Sequence, residues 1–386
     1  MNANLKNFRL VVSGGGTGGH MFPIIALISE LKSILTDTDI DIYFLGPNGF
    51  GVDALKHLGI KVIIIPAGKI PRYFTPKILW EMIKIPVSIV LAIWHMWKIM
   101  PDVVFSKGGF GGFSPVLAAW LFKIPILIHE SDAVPGLANK ISSHLASKIV
   151  LSFPSSKIFF PQSKTVLTGN PIRKEIVSEF SKFLDTSHDN SKIRKTLLVL
   201  GGSQGAQEIN ALIMETLTQL LGFADIIHQC GDKNFKDMSL ESQTVLEKNP
   251  ELAKFYHLRP FLSAEELVEA YKSSDVIISR AGAGSIFEIA LAGKPSILIP
   301  LQGSAGDHQL KNAEIYTKIG ASIMLLGDNA TPHIFLEKTK ELFANPLMLS
   351  QMAQAAKSFA KPEATTIIAK IIIDLSNQEE NFYGNR

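Results

Sequence analysis

The chain predicts an α/β protein of two Rossmann-like domains, each a parallel sheet covered by helices on both faces. Three observations carry this. Short apolar runs alternate with helical patterns along most of the length, as in βα units of a parallel sheet. Two segments about half the chain apart share one design. Phe8-Arg9-Leu10-Val11-Val12-Ser13 runs into Gly14-Gly15-Gly16-Thr17-Gly18-Gly19-His20, and Thr196-Leu197-Leu198-Val199-Leu200 runs into Gly201-Gly202-Ser203-Gln204-Gly205-Ala206-Gln207. Each reads as a buried strand feeding a helix N-terminus through a glycine turn. Finally, 386 residues with 46% hydrophobic and 19% charged side chains are enough for two packed cores and far from a disordered composition.

In order, the first half offers further strands at Ile42–Gly46, Lys61–Pro66, Val103–Ser106, Ile126–His129 and Lys148–Leu151. The second half offers Ile226–Gln229, Val276–Ser279 and Ser296–Pro300, with helices at Ala264–Lys272 and Ser285–Ala292. The polar stretch Ser178–Lys195 reads as a surface connection, and the polar tail after Ser376 reads as frayed. Domains are expected at 1–168, 169–360 and a C-terminal helix and tail at 361–386. A net charge of +3 is too weak to indicate a nucleic-acid partner. Cys230 is the single cysteine, so no intrachain disulfide can form. Leu10-Val11-Val12 is too short for a signal-peptide core, and the chain reads as unexported. Ile78–Met100 resembles a membrane span, but Glu81, Lys84, Pro86, His95 and Lys98 interrupt it.

The first glycine loop matches G-x-G-x-x-G at Gly14, Gly16 and Gly19. Such loops present N–H groups to a phosphate at a helix N-terminus. A dinucleotide-binding dehydrogenase would also need an acid at the end of the second strand, where this chain has Leu45-Gly46-Pro47-Asn48. His20 is either a general base for a sugar hydroxyl or a structural histidine bonded to backbone. The second loop, with Ser203, is a second anion site. In Ser279-Arg280-Ala281-Gly282-Ala283-Gly284-Ser285-Ile286-Phe287-Glu288 a strand ends in a small-residue turn. Glu288 is expected in the first turn of the next helix, either accepting ribose hydroxyls or complementing the helix dipole. Gln309 and Asn312, in Asp307-His308-Gln309 and Asn312-Ala313, could read sugar hydroxyls or start another helix. The D-x-D pairs among Asp37, Asp39 and Asp41 read as a polar loop before a strand, on the far side from a ligand crevice, and no zinc-spaced cluster occurs. No metal and no cofactor is called for; helix N-termini and a cation such as Arg173 would stabilise a leaving diphosphate.

Taken together and in order, Gly-Gly-Thr-Gly-Gly-His20, His129-Glu130, Gly169-Asn170-Pro171, Gly201-Gly202-Ser203-Gln204-Gly205-Ala206 and Asp307-His308-Gln309 resemble the bacterial N-acetylglucosaminyltransferases of peptidoglycan synthesis, the MurG family, over roughly residues 8–370. The resemblance implies a GT-B fold with its active site in the interdomain cleft, and inverting transfer from UDP-N-acetylglucosamine to undecaprenyl-diphosphoryl-N-acetylmuramoyl-pentapeptide (lipid I to lipid II). It places donor contacts at Thr17, Gly18, Gly19, Arg173, Ser203, Leu262, Ala283, Gly284, Ser285, Ile286, Phe287, Glu288 and Gln309. Within that set it implies uracil recognition near Leu262, ribose at Glu288 and the sugar at Gln309; outside it, His20 matches a histidine proposed as the base. Asp132 stands where many members carry Asn and His308 where many carry Gln; Gly108–Phe113 is richer in glycine than the family pattern, implying a more mobile acceptor loop. The competing readings are another GT-B enzyme, such as a UDP-N-acetylglucosamine 2-epimerase or a glycolipid transferase, and a non-catalytic scaffold at a membrane surface. A polyprenyl acceptor requires the enzyme to reach a cytoplasmic membrane surface. Across 69–98, Lys69, Arg72, Lys77, Lys84 and Lys98 among Tyr73, Phe74, Ile78, Leu79, Trp80, Trp94 and Trp97 suit peripheral docking, favoured for 69–84, with part of the 86–98 helix expected to pack as core against the sheet.

Overall fold

The computed structural model describes residues 7–36, 38–68, 77–183, 194–202, 205–303 and 305–383. The chain divides into two compact units, Met1–Lys174 with Glu363–Arg386, and Glu175–Pro362.

The first unit is a seven-stranded parallel sheet of β1 (Asn7–Ser13), β2 (Asp39–Gly46), β3 (Lys61–Ile64), β4 (Val103–Ser106), β5 (Ile126–Glu130), β6 (Lys148–Leu151) and β7 (Thr165–Leu167), in the order β3-β2-β1-β4-β5-β6-β7. Alternation along β1 sends Phe8, Leu10 and Val12 to one face and Val11 to the other, and all four are fully buried. The first face packs against the Gly18–Ile34 helix and against Ile368, Ala369 and Ile372 of the C-terminal helix. The second face packs against Ala92, Met96 and Ile99 of the Lys77–Ile99 helix and Val116 and Ala119 of the Phe113–Leu121 helix.

The second unit is a six-stranded parallel sheet of β8 (Lys195–Leu200), β9 (Ala224–Gln229), β10 (Tyr256–Arg259), β11 (Val276–Ser279), β12 (Ser296–Leu298) and β13 (Ser322–Met324), ordered β10-β9-β8-β11-β12-β13. Leu197, Val199, Ile226 and Ile278 bury themselves under Ile209, Ile213 and Leu217 of the Gln207–Leu221 helix. Phe287, in the Ala283–Ala292 helix, lies 5.1 Å from the Phe359 ring.

Several sequence expectations change. β7, β10 and β13 are too short, at three or four residues, for their alternation to stand out. Ser178 onward belongs to the Lys174–Phe183 helix, and 184–193 lie outside the described residues. The first unit runs on to Lys174 instead of ending at 168. The final helix, Ala364–Tyr383, continues through the polar tail after Ser376 and completes the first unit. Thr365 Oγ1 both accepts from the Ile172 N–H (3.1 Å) and donates to the Ile172 carbonyl (3.0 Å), and Thr366 Oγ1 donates to Glu30 Oε1 at 2.7 Å.

Candidate active site

In each sheet the strand order reverses once, between β1 and β4 in the first unit and between β8 and β11 in the second. Ligands of open parallel sheets bind at such switch points, beyond the C-terminal strand ends. The four loops leaving these strands are the ones the sequence singles out: 14–20 after β1, 107–113 after β4, 201–206 after β8 and 280–288 around the end of β11.

At the first switch point, Ser13 and Ser106 are register partners and the Lys107 N–H donates to the Ser13 carbonyl at 2.9 Å. Gly14, Gly15 and Gly16 have φ of 142°, 122° and 97°, a backbone that only glycine adopts without strain. Space beside Gly16 is open. Thr17 is the N-cap of the Gly18–Ile34 helix, so the Gly18 and Gly19 N–H groups have no intrahelical acceptor and are available to an anion. His20 sits in that first turn with Nδ1 2.9 Å from the Gly15 carbonyl. A carbonyl only accepts, so Nδ1 carries a proton, and in a neutral ring the lone pair is on Nε2. The bond to backbone expected of a structural histidine is present, and it leaves the other reading compatible with the same ring.

Behind this loop lies a buried charged cluster that sequence reading did not assemble. Lys107 is 1% exposed and Glu130 is 4% exposed. Burial, and then Asp132, push the Glu130 carboxyl up to about 7, against the pull of Asp132's backbone N–H, Lys107 and Asn139. Burial lowers the Lys107 ammonium. The fully buried His129 is held well below the usual histidine range by burial, with Lys107 adding to it; its Nε2 lies 3.0 Å from Ser152 Oγ. Asp132 is half-buried, and its N–H donates to Glu130 Oε1 at 2.9 Å. Two glycines of the 108–112 loop stand in close contact with their surroundings. A Cβ on Gly109 would lie 2.8 Å from the His20 ring, and one on Gly112 would lie 2.6 Å from Ser106 Oγ. Arg173, expected with the second domain, belongs to the first unit, its guanidinium 5.4 Å from the Phe22 ring centre and its buried Nε without a hydrogen bond among the described residues.

At the second switch point Ser203 and Gln204 lie outside the described residues. Gly202, at φ 75°, has open space beside it. Gln229, at the end of β9, joins this loop to the next one. Its Nε2 donates to the Gly202 carbonyl at 3.4 Å and its Oε1 accepts from the Leu262 N–H at 3.1 Å. Leu262 itself is buried, so only its carbonyl remains for a base edge. Arg280, quoted in its motif but given no role there, bonds Glu208 Oε2 at 2.8 Å and the Ile299 carbonyl at 3.2 Å.

The helix after β11 begins at Ala283, with Gly282 as its extended N-cap, not at Ser285. Glu288 consequently falls in the second turn, and dipole complementarity does not account for it. It is half-buried and accepts from the Tyr271 hydroxyl at 3.4 Å. Ala283, Gly284 and Ser285 offer helix-terminal N–H groups beside open space at Gly282 and Gly284, whereas the Ile286 and Phe287 side chains are fully buried. Gln309 Oε1 accepts from the Leu301 N–H at 3.0 Å. Asn312 is fully buried and donates to the Ala281 carbonyl at 3.1 Å, which makes it a support of the Gly282 turn and not a surface contact. His308 and Gln309 open the His308–Lys318 helix.

The D-x-D pair correction is local. Asp39 and Asp41 lie inside β2, at its N-terminal end and away from the switch point, and Asp41 pairs with Lys61 at 2.6 Å; Asp37 lies outside the described residues. Among the described residues no group of three or more His, Cys, Asp or Glu could hold a metal ion.

Two parallel sheets, each with a glycine loop at its switch point, and a histidine in the first turn of the helix after the first loop form an arrangement that suits a glycosyltransferase. Residues 10–151 match the glycosyltransferase family 28 N-terminal domain and residues 196–367 its C-terminal domain. The UDP-N-acetylglucosamine–N-acetylmuramyl-(pentapeptide) pyrophosphoryl-undecaprenol N-acetylglucosamine transferase of Treponema denticola is 34% identical over 385 residues, covering 94% of this chain and 96% of the relative. The enzyme of the same name from Clostridium tetani is 37% identical over 343 residues, covering 87% and 90%. Acinetobacter baumannii MurG, a crystal structure, matches with a TM-score of 0.73 at 28% identity over 95% of this chain and 99% of that one. The chain belongs to the MurG family of N-acetylglucosaminyltransferases. A Neisseria meningitidis UDP-GlcNAc 2-epimerase, TM-score 0.64 at 16% identity over 95% and 100%, shares the fold alone.

Proposed function

We propose that the chain transfers N-acetylglucosamine from UDP-N-acetylglucosamine to the 4-hydroxyl of undecaprenyl-diphosphoryl-N-acetylmuramoyl-pentapeptide, converting lipid I to lipid II with inversion. The observation that carries the reading is His20, whose Nδ1–H is anchored on the Gly15 carbonyl beside a helix-terminal anion loop. In this reading His20 Nε2 takes the hydroxyl proton as the oxygen attacks the anomeric carbon. The bond from that carbon to the diphosphate breaks, and UDP leaves with the electron pair. Its charge is met by backbone N–H groups of the second glycine loop, with Ser203, and by Arg173. Thr17, Gly18 and Gly19 contact the donor, the Leu262 carbonyl meets uracil, Glu288 accepts the ribose hydroxyls and Gln309 orients the sugar. Asp132, with no donor hydrogen when ionised, accepts from a substrate hydroxyl.

Radiolabelled UDP-N-acetylglucosamine with a lipid I analogue tests this directly. Label should appear in the lipid product, and His20→Ala should lower kcat by about 10²–10⁴-fold. Epimerised UDP-sugar without transfer would favour the epimerase reading, and tight binding with neither product would favour the scaffold.

Peripheral attachment to a membrane surface follows from a polyprenyl acceptor. No helix among the described residues is long and apolar enough to cross a membrane. The segment 69–76 lies outside the described residues, as do the side chains of 77–80. The part of 86–98 that packs as core is one face of the helix. Ser88, Ala92, Met96 and Ile99 are buried, but Ile83, Val87, Val90, Trp94 and Trp97 form an exposed stripe at alternating spacings of four and three residues. That stripe, with exposed Lys98 at its end, is the proposed docking edge.

A further inference from the structure

The buried charges behind the first glycine loop are linked to the base by an unbroken chain of contacts. Glu130 Oε2 accepts from Asn139 Nδ2 at 2.8 Å, and the same Nδ2 donates to the His129 carbonyl at 3.2 Å. The Asn139 carboxamide fills the space where a Cβ on Gly108 would stand. Gly108 and Gly109 are both left-handed, at φ 81° and 71°, and the Gly108 N–H donates to Ser106 Oγ at 3.2 Å. Gly109 then backs directly onto the His20 imidazole, its Cβ position 2.8 Å from Cε1 and 3.2 Å from Nδ1. The opposite side of that nitrogen is fixed by the Gly15 carbonyl. Thus the ring is held between one glycine loop and another, and the second loop is seated on Asn139.

An ionised carboxylate buried to this depth needs compensation. Glu130 has two N–H donors, from Asp132 and Asn139. Lys107 adds a field: its ammonium acts on both Glu130 and Asp132 and makes no hydrogen bond or ion pair among the described residues. The groups that face Glu130 are Lys107 from the end of β4, Asp132 from the turn after β5, Asn139 from the Leu137–Ser142 helix, and neutral His129 beside it.

We propose that Glu130 is a positioning residue for His20, acting through Asn139 and the Gly108–Gly109 turn, with Lys107 as the buried counter-charge that holds Glu130 in its hydrogen-bonding form. The proposal rests on His20 being the base. Glu130 touches neither substrate nor reacting atoms in this scheme. It determines where the imidazole stands, so its loss is read in the chemical step and not in donor binding.

The test pairs kinetics with a readout that does not depend on activity. Glu130→Gln leaves one acceptor oxygen for two N–H donors, so an amide N–H must oppose the N–H of either Asp132 or Asn139 and the cluster that seats the Gly108 turn loses one of its two bonds. The expected result is a kcat reduced about ten- to a hundredfold with the KM for UDP-N-acetylglucosamine within about twofold. The His20 imidazole signal in a ¹³C-histidine-labelled sample, assigned by its loss in His20→Gln, should change its titration midpoint. Gly109→Ala displaces the ring without touching the buried cluster and should give the same split. The double variant Glu130→Gln/Gly109→Ala should lose little more than either single change, since both act on one contact chain. Lys107→Met should shift the acid limb of the kcat–pH profile upward, because Glu130 then holds its proton to higher pH. An unchanged His20 titration in soluble Glu130→Gln, or additive losses in the double variant, overturns the proposal. Should Glu130→Gln not fold, an unshifted His20 signal with full kcat in Gly109→Ala overturns it alone. Full activity in His20→Gln sinks the base assignment instead, a separate result from the His20 signal's response to Glu130→Gln.

Discussion

Removing the Glu288 carboxylate should raise the KM for UDP-N-acetylglucosamine and leave acceptor binding in place. One charge-assisted hydrogen-bond pair to a ribose corresponds to roughly 2–4 kcal/mol. Tyr271→Phe, which removes the long 3.4 Å bond to Glu288, should cost under about 1.5 kcal/mol. Steady-state kinetics on both variants separate these, and an unchanged donor KM in Glu288→Ala removes Glu288 from the ribose site. Glu130 carries a pH signature of its own. Its folded pKa, about 7, lies above the ordinary 4.5, so the folded state binds this proton more tightly. The stabilisation it gives is complete below about 4.5 and is lost as pH rises toward 7, by at most about 3 kcal/mol. Glu130→Gln should lack that slope, so its stability relative to the parent should improve between pH 4.5 and 8 in urea titrations; parallel curves would exclude it. At this scale the sequence announced glycine loops, His20 and Glu288 because their chemistry is local. Lys107, Asn139 and Gln229 were silent, since their roles exist only where loops from separate strands meet.

The Lys77–Ile99 helix shows how a whole element can be read correctly in kind while its orientation stays open. Apolar residues occupy most of its circumference between Lys84 and Lys98, so the sequence alone did not say which stripe lies on the sheet. Packing decides: small Ser88 and Ala92 turn inward and the tryptophans outward, Trp94 and Trp97 meeting at 5.5 Å. Trp94→Ser/Trp97→Ser should therefore lower binding to anionic vesicles by more than about tenfold, with the fold intact by circular dichroism. Lys84→Glu should do far less than Lys98→Glu, because Lys84 is already paired with Glu81. Co-sedimentation that is insensitive to the tryptophan pair would move the docking edge elsewhere. The legible strands were short apolar runs set between polar or turn residues, such as Val103-Val104-Phe105 and Val276-Ile277-Ile278. Boundaries slipped where small residues such as Ala283 and Gly284 join a helix without marking it.

For the whole molecule the unexpected feature is the route of the chain: out of the first unit at Lys174, through the second, and back at Glu363. Nothing in the composition of Ala364–Tyr383 says which core receives it; Ile368, Ala369, Ile372 and Leu375 fit any apolar face. Deleting 363–386 should strip these side chains from the first core at about 1.5–3 kcal/mol for each large one. Limited proteolysis should then leave a resistant fragment within 175–362, read by mass spectrometry, and survival of an intact 1–174 would contradict this. The same route sets an order of assembly. A ribosome makes residues 1–174 first, yet the helix that completes their core follows only after the whole of the second unit. The unit begun first is therefore closed after its neighbour has been made, and its apolar face stays open to solvent in the interval.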